Sequence, residues 1–341
     1  MRRGLIARSE IELPDAVFDA RLERLRAAMG TLDALLVYTN NTRPAAVSWL
    51  TGFIPYWSEA MLVVPRDGLP LLVAALTLRV KPWIERTSRI AEVIHTPRIG
   101  IMAARLIASS KPDAAVGAVD LDHLSAGIIE DLGEAGPRLG LSDAGDLFAE
   151  VRGSADPTEV MLASRASSIA SSALAQIDSR EHINNIVAAV EGEARRQGAE
   201  EVYVAVAPDL ARDRRLVRPE GSPTLGQRFS VRASVAYKGS WVRRLVTIDR
   251  DGAAADAAEA FSNAVAHLPS DRALSQFSSF VVEGCRVAQP LEALLGSRVA
   301  AARPPIAGAL VSVQACIEVH GQAVLVGAPA LVGASGETAG I

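Results

Sequence analysis

Apolar and polar residues alternate in the stretch Phe229–Thr247, and this alternation predicts a β-hairpin. The apolar positions of its first arm are Val231, Ala233, Val235 and Tyr237. Lys238-Gly239-Ser240 has turn-forming composition, and the residues that follow form a returning strand. Arg232 and Arg243 lie on opposite arms, so the hairpin folds two cations back toward one another. Two like charges in a dry site are costly unless each is paired.

Strand-like and helix-like patterns follow one another through the first half of the chain. Leu13–Met29 has the apolar spacing of an amphipathic helix, which Gly30 ends. The other segments predicted there are the strands Leu32–Tyr38, Ala60–Pro65, Leu69–Ala75, Ile90–Ile94 and Ala115–Val119, and the helices Lys81–Arg86, Gly100–Ser109 and Ser125–Gly133. Strands that alternate with helices predict an α/β layer domain.

The chain turns polar around residues 149–157, where we place a domain boundary. Ser154 or Asp156 is expected to cap a long helix that continues to about Ile177. The segments predicted after it are the helices Arg180–Gln197, Ala253–Ala266 and Val287–Leu295, and the strands Val202–Ala207, Ala309–Ile317 and Ala323–Val326.

Composition narrows the class of protein. Of 341 residues, 49% are hydrophobic and 22% are charged, which is typical of a folded globular chain. The net charge of −4 and the lack of a basic stripe argue against a nucleic-acid partner. The longest apolar run, within Leu69–Leu76, is too short to span a bilayer, and no signal-peptide pattern follows Arg3. Cys285 and Cys316 are expected to be buried free thiols, so we predict a cytoplasmic protein.

Several short motifs are similar to those of the creatinase/aminopeptidase family, the "pita-bread" enzymes that include Xaa-Pro peptidases, methionine aminopeptidases and creatinase. Asp33–Val37 (DALLV), Leu50–Phe53 (LTGF) and Val63–Gly68 (VVPRDG) occur in the order found in the creatinase/prolidase branch. The hairpin keeps a Tyr-x-Gly core at Tyr237-Lys238-Gly239. The resemblance implies an α/β creatinase-type N-terminal domain over residues 1–150 and an α+β pita-bread domain over residues 151–341.

In that family, two Asp, one His and two Glu hold divalent metal ions that activate water. The resemblance places Arg232 and Arg243 at the two Asp positions, and Gln314 and Gly327 at the two Glu positions. The segment at the His position, Val282–Val287, contains no His. We therefore expect neither a metal ion nor any other cofactor.

The two arginines allow opposite interpretations. They could be outward-facing strand residues in salt bridges. If they point inward, they must meet carboxylates or an anionic ligand, and Arg232, Arg243, Tyr237 and Gln314 are then the predicted ligand-binding residues. Arg244 would point to the opposite face of the strand.

Catalytic residues are not evident. His320 and Glu318, which we expect to share a strand face, are candidates for general acid–base work. Creatinase itself hydrolyses its substrate without a metal by using a His, so a metal-independent hydrolase of a small C–N substrate is one alternative.

The function that this pattern favours is a catalytically inactive member of the family. Such a chain would be a structural or regulatory subunit, as a homodimer or paired with an active homologue, because members of this branch commonly dimerise. An anion- or small-molecule-binding module is the third hypothesis.

Overall fold

Two β-sheets, one in each half of the chain, organise the structure. The computed structural model describes residues 11–40, 45–55, 58–249, 253–266, 277–284, 298–299, 306–333 and 338–340. The chain divides into two units, Met1–Arg152 and Gly153–Ile341. No helix in the described part of the chain has both the length and the apolar character that a membrane crossing requires.

The first unit is built on a six-stranded mixed sheet. Its strands are β1 (Ala34–Thr39), β2 (Ala60–Pro65), β3 (Leu71–Ala74), β4 (Glu92–His95), β5 (Ala115–Val119) and β6 (Gly140–Asp143). They are arranged in the order β4-β3-β2-β1-β5-β6, with β1 antiparallel to β2 and parallel to β5. Every residue of β1 is buried, as expected of a continuous apolar run at the centre of a covered sheet.

Helices cover this sheet on both faces. They are α1 (Asp15–Ala28), α2 (Ala45–Thr51), α3 (Lys81–Thr87), α4 (Ile99–Ser110), α5 (Ala126–Ala135) and α6 (Gly145–Val151). Leu35 and Val37 of β1 lie in one apolar cluster with residues of α1, α2, α3 and α6. Leu36, which points the other way, lies in a second cluster with residues of α4 and α5. The first unit therefore has an apolar core on each side of its sheet.

The helices of the second unit are α7 (Pro157–Leu174), α8 (Ile183–Arg196) and α9 (Ala253–Val265). Of the two predicted caps for α7, the structure selects Asp156. Its Oδ1 accepts from the Glu159 amide at 2.9 Å, and Glu159 Oε2 accepts from the Asp156 amide at 3.2 Å, which is a capping box. Ser154 instead donates its hydroxyl to the Ala307 carbonyl at 3.1 Å.

Two long hairpins form the middle of the second sheet. The strands are β7 (Glu201–Ala207), β8 (Arg228–Tyr237), β9 (Ser240–Asp249), β10 (Ser279–Gly284), β11 (Arg298–Val299), β12 (Leu310–Val319), β13 (Gln322–Val332) and β14 (Thr338–Gly340). Their order is β11-β10-β12-β13-β9-β8-β7, and β14 pairs with β13. The β8/β9 and β12/β13 hairpins meet where Leu245 pairs with Gly327.

Alternate residues of the two hairpins lie in different environments. Phe229, Val231 and Ala233 of β8 belong to the apolar cluster that contains α7 and α8, and Val313 and Ala315 of β12 belong to the cluster that contains α9. The residues between them face the other way. On that second face, Leu245, Cys316 and Leu325 cluster with Leu210 and Leu216 of the segment 208–226, which connects β7 to β8.

The predicted helix Val287–Leu295, Cys285 and the end of the segment Val282–Val287 lie outside the described residues. Cys316 is buried as a free thiol, as predicted.

Candidate functional site

The second face of the central hairpins is lined by buried polar side chains, and we call this set the polar face. Its members are Ser230, Arg232 and Ser234 of β8, Arg243 and Thr247 of β9, and Ser312 and Gln314 of β12. Thr247 is 8% exposed, and the others are 3% exposed or less. Burial of that much polar surface is unusual, since polar groups removed from water must be hydrogen-bonded or charge-compensated.

Arg232 and Gln314 lie in one row that crosses four strands. Arg232 pairs with Leu245, Leu245 with Gly327, and Gly327 with Gln314. Arg232 Nη1 donates to Gln314 Oε1 at 3.2 Å. A Cβ on Gly327 would approach Gln314 Cγ to 3.0 Å and Leu245 Cβ to 3.1 Å. The missing side chain at Gly327 therefore leaves room for Gln314 to lie across the row and contact Arg232.

Arg243 lies in the next row of the same face. It pairs directly with Ser234 of β8 and is 3% exposed, while Arg232 is 1% exposed. Both guanidinium groups are therefore inside the protein and not on a solvent-facing strand surface. Arg244 points the other way, as predicted, and donates to Ser167 Oγ of α7 at 2.8 Å. Burial lowers the pKa of the Arg244 guanidinium from its ordinary value.

The hydroxyl groups of Ser230 and Thr247 connect the two hairpins on the same face as the arginines. Thr247 Oγ1 donates to the Leu325 carbonyl at 2.7 Å and accepts from the Leu325 amide at 2.9 Å. Ser230 Oγ lies 2.7 Å from Thr247 Oγ1. Because the Thr247 proton is used by Leu325, Ser230 is the donor in this contact.

Two further arginines stand at the margin of the polar face, and each has a carboxylate partner. Arg228 Nε lies 3.4 Å from Asp249 Oδ2, and the Asp249 side chain is fully buried. Arg228 also donates to Gln322 Oε1. Arg214 Nη1 lies 2.7 Å from Glu318 Oε1. The charges at the margin are thus balanced by acidic side chains.

The predicted His320–Glu318 couple on one strand face is wrong. His320 and Gly321, with φ of 50° and 73°, form the two-residue turn between β12 and β13, and His320 is exposed. Residues with positive φ at both central positions are typical of a type I′ hairpin turn. Glu318 is engaged by Arg214. The general acid–base pair that the sequence suggested is therefore not assembled.

The structure also separates Tyr237 from the arginines with which it was grouped. Tyr237 packs against the apolar cluster of α7 and α8, on the opposite face of β8 from Arg232. The Arg165 and Lys238 side chains each lie 5.9 Å from the centre of its ring. Tyr237 consequently belongs to the helix-facing side of the sheet, and of the predicted ligand-binding residues only Arg232, Arg243 and Gln314 share a face.

Sequence reasoning missed two serines and a glutamate. Ser234 and Ser312 occupy alternate positions beside Arg232 and Gln314, so strand alternation could have identified them. Glu200 accepts at Oε1 from the Lys238 amide at 2.7 Å, in the β8/β9 turn. Burial raises the pKa of the Glu200 carboxyl to about 7, although the Lys238 and Gly239 amides act in the opposite direction.

Carboxylates and imidazoles do not gather on this face within the described ranges. No group of three or more His, Cys, Asp or Glu among those residues is placed to hold a metal ion. What the described part of the polar face offers instead is two guanidinium groups, one amide and several hydroxyls, which would favour a negatively charged ligand over a cation.

Comparison with known proteins identifies the fold. Residues 21–153 match the family model of the creatinase/prolidase N-terminal domain. No curated protein matches the chain in sequence.

Similar solved structures span nearly the whole chain. The prolidase of Pyrococcus furiosus has a TM-score of 0.67 at 15% identity and covers 94% of this chain and 98% of its own. The Xaa-Pro dipeptidase of Bacillus anthracis has a TM-score of 0.67 at 17% identity, covering 95% and 97%. The N-terminal domain of the FACT complex subunit SPT16 of Cicer arietinum has a TM-score of 0.60 at 13% identity, covering 95% of each chain. The predicted α/β domain followed by a pita-bread domain is thereby confirmed.

Proposed function

We propose that this chain, which is a creatinase/aminopeptidase-family protein by its N-terminal domain and its fold, is a non-catalytic subunit that pairs with an active homologue. The observation that carries the proposal is the buried contact of Arg232 with Gln314 at the centre of the second sheet. Both residues stand at positions that the family resemblance assigns to metal-binding carboxylates.

A guanidinium group cannot coordinate a metal ion, and its positive charge repels one. It has donors only, it stays protonated in proteins, and it offers no lone pair for coordination. With Arg232 and Arg243 both buried on the polar face, a divalent cation there would meet like charge in a region of low dielectric. Metal-activated hydrolysis at this face is therefore disfavoured by charge as well as by ligand type.

The fold itself is compatible with a role other than peptide hydrolysis. Its relatives by structure include chains named as prolidase and dipeptidase, and also one named as a domain of a complex subunit. Since one fold supports several functions, the function must be argued from the site. A subunit role would keep the scaffold and its surfaces while the site lost its metal chemistry.

The metal-independent hydrolase finds no support in this geometry. His320 is exposed in a turn, and Glu318 is bound to Arg214. A general acid–base mechanism needs both groups within hydrogen-bonding reach of one substrate atom.

Metal content and turnover of the purified chain test the proposal. We expect no stoichiometric Mn, Co or Zn after incubation with each ion and dialysis, and no cleavage of an Xaa-Pro dipeptide above the rate without protein. A prolidase carrying all five metal ligands, treated in parallel, provides the positive control. One bound metal ion per chain together with dipeptide cleavage would overturn the proposal.

Pairing is tested separately. We expect the chain to form a stable dimer, by itself or when coexpressed with an intact family member, and the mixed dimer to differ from the intact member alone in kcat/KM for its dipeptide. Light scattering coupled to size exclusion measures the mass of each species against 35.9 kDa for one chain. A monomer under both conditions would contradict a subunit role.

A further inference from the structure

Residues 208–216, which we call the strap, leave the second sheet after β7 and return to the same strand. Val217, directly after the strap, forms two backbone hydrogen bonds with Val206 of β7, at 2.8 and 3.1 Å. Within the strap, the Leu210 amide donates to the Arg228 carbonyl at the start of β8, at 3.0 Å. The backbone of the strap is therefore attached to the β7/β8 side of the second sheet.

The strap also holds its own conformation. Asp209 Oδ1 accepts from the Ala211 amide at 3.1 Å. The Asp209 carbonyl accepts from the Arg212 and Asp213 amides, at 3.0 and 2.9 Å. Asp213 Oδ1 in turn accepts from the Arg215 amide at 3.0 Å. Because both partners of each bond belong to the strap, these bonds persist when it moves as a unit.

In the described part of the chain, the strap contacts the β12/β13 hairpin through side chains. Leu210 and Leu216, which are 4% and 3% exposed, cluster with Cys316 of β12 and Leu325 of β13. Leu245 of β9 belongs to the same cluster. Cys316 is 1% exposed, so the strap and its neighbours shield this thiol from solvent.

An ion pair links the middle of the strap to β12. Arg214 Nη1 donates to Glu318 Oε1 at 2.7 Å, and it lies 3.7 Å from Cys316 Sγ. The Arg214 and Glu318 side chains are 46% and 39% exposed. Ions in solution screen a pair with this exposure, and its contribution to stability is small. The charged link between the strap and the second hairpin is therefore easily broken.

We propose that the strap is a hinged cover, which opens away from the β12/β13 hairpin while its ends stay bonded to β7 and β8, and that the Arg214–Glu318 pair holds it closed. Backbone attachment on one side and side-chain attachment on the other place the hinge at β7 and β8. Opening uncovers Leu245, which lies beside Arg232 in the row that crosses the polar face. The inference does not depend on the subunit role, because every contact it uses lies within one chain.

The rate at which the Cys316 thiol reacts with N-ethylmaleimide measures opening of the strap. Mass spectrometry of peptides from the labelled natural chain distinguishes Cys316 from Cys285, the other cysteine. We expect the rate to rise with sodium chloride, because screening weakens the ion pair. It should depend only weakly on urea, because a local opening exposes little surface. A urea dependence as steep as that of global unfolding would overturn the proposal, since Cys316 would then react only in the unfolded chain.

Two variants break the ion pair and change the charge beside the thiol in opposite directions. We expect Arg214→Gln and Glu318→Gln each to raise the labelling rate of Cys316 by about two- to fivefold. The double variant Arg214→Glu with Glu318→Arg exchanges the charges and should restore the natural rate. Glu193→Gln, which breaks the exposed pair with Arg196 on α8, is the control and should leave the rate unchanged. An unchanged rate in both single variants would contradict the proposal. Acceleration in Glu318→Gln alone would also contradict it, since that variant removes a negative charge next to the thiol.

Discussion

The two sheets of this protein bury their central strands in different ways. In the first unit, both faces of β1 and β2 are apolar and each packs into its own cluster. In the second unit, one face of β8 and β9 packs on helices, and the other buries Arg232 and Arg243. Apolar burial is sufficient to hold a sheet, as the first unit demonstrates. Burial of a cation carries a desolvation cost that apolar side chains do not have, so the two sheets bury their central strands at different expense of free energy.

The largest effect we predict is in the first sheet. Leu62 of β2 is fully buried between the strands and the first apolar cluster. Leu62→Ala should lower the free energy of unfolding by about 2–5 kcal/mol, since it removes buried methyl groups and leaves a cavity. Urea denaturation measures the change. Leu78→Ala, at a side chain that is 65% exposed, is the control and should change stability by less than about 0.5 kcal/mol. Equal effects would mean that the first sheet is not held by its apolar core.

At the margin of the polar face, loss of the ion pair between Asp249 and Arg228 should lower the free energy of unfolding nearly as much as Leu62→Ala does. Asp249→Ala removes this carboxylate from the Arg228 guanidinium, whose side chain is 12% exposed. The variant should have a free energy of unfolding lower by about 3 kcal/mol. The control is Asp213→Ala, whose partner Arg215 is largely exposed, and which should cost less than about 1 kcal/mol. If the two variants lose similar amounts of stability, the buried ion pair contributes no more than the exposed one. This part of the comparison between the two sheets would then fail.

Local patterns were sufficient to predict most of the elements, because periodicity is written in neighbouring residues. The strand Ala115–Val119 is observed with the predicted ends, and the helix predicted over Leu13–Met29 is observed as Asp15–Ala28. Asp156 was one of two predicted caps, and only the capping box with Glu159 distinguishes it from Ser154. β6 and α6 were not predicted: β6 is only four residues long, polar at its end and largely exposed, so it lacks the apolar pattern by which the other strands were predicted.

The site was less accessible to sequence reasoning, because its contacts are not local. Arg232 and Gln314 are 82 positions apart, and only the family resemblance linked them. Alternation should have excluded Tyr237, since it lies an odd number of residues from Arg232. His320 was misplaced because a positive φ at a non-glycine residue has no strong sequence signal, although the following Gly321 indicated a turn. Glu200 reaches a turn 38 residues away, which no pattern in its own neighbourhood reveals.

Glu200 should make the second unit sensitive to pH. Its pKa is about 7 in the folded chain against an ordinary value of 4.5, so the unfolded chain ionises first as pH rises. The stability that Glu200 contributes is therefore complete below about pH 4.5, falls as pH rises, and is lost above about pH 7.

The Glu200→Gln variant keeps an oxygen that accepts from the Lys238 amide but carries no charge. We expect it to match the natural chain near pH 4.5 and to be more stable by roughly 1–3 kcal/mol at pH 8. Chemical denaturation at both pH values measures the difference. Glu220→Gln, at an exposed position, should show no such pH dependence. A Glu200→Gln variant that is less stable than the natural chain at pH 8 would show that the ionised carboxylate stabilises the turn.

The smallest effect, and the most informative for the comparison, concerns the centre of the polar face. Gln314→Leu alone removes the acceptor that Arg232 Nη1 uses, and should destabilise the chain by about 1–2 kcal/mol. Adding Arg232→Met removes the buried charge as well and makes this row apolar, like those of the first sheet. The free energy of unfolding of the double variant should then equal that of the natural chain or exceed it by about 1 kcal/mol. Urea denaturation of the natural chain, both single variants and the double variant forms a complete cycle. If the double variant is instead the least stable of the four, Arg232 is required by the fold itself, and the contrast between the apolar first sheet and the polar face of the second sheet fails.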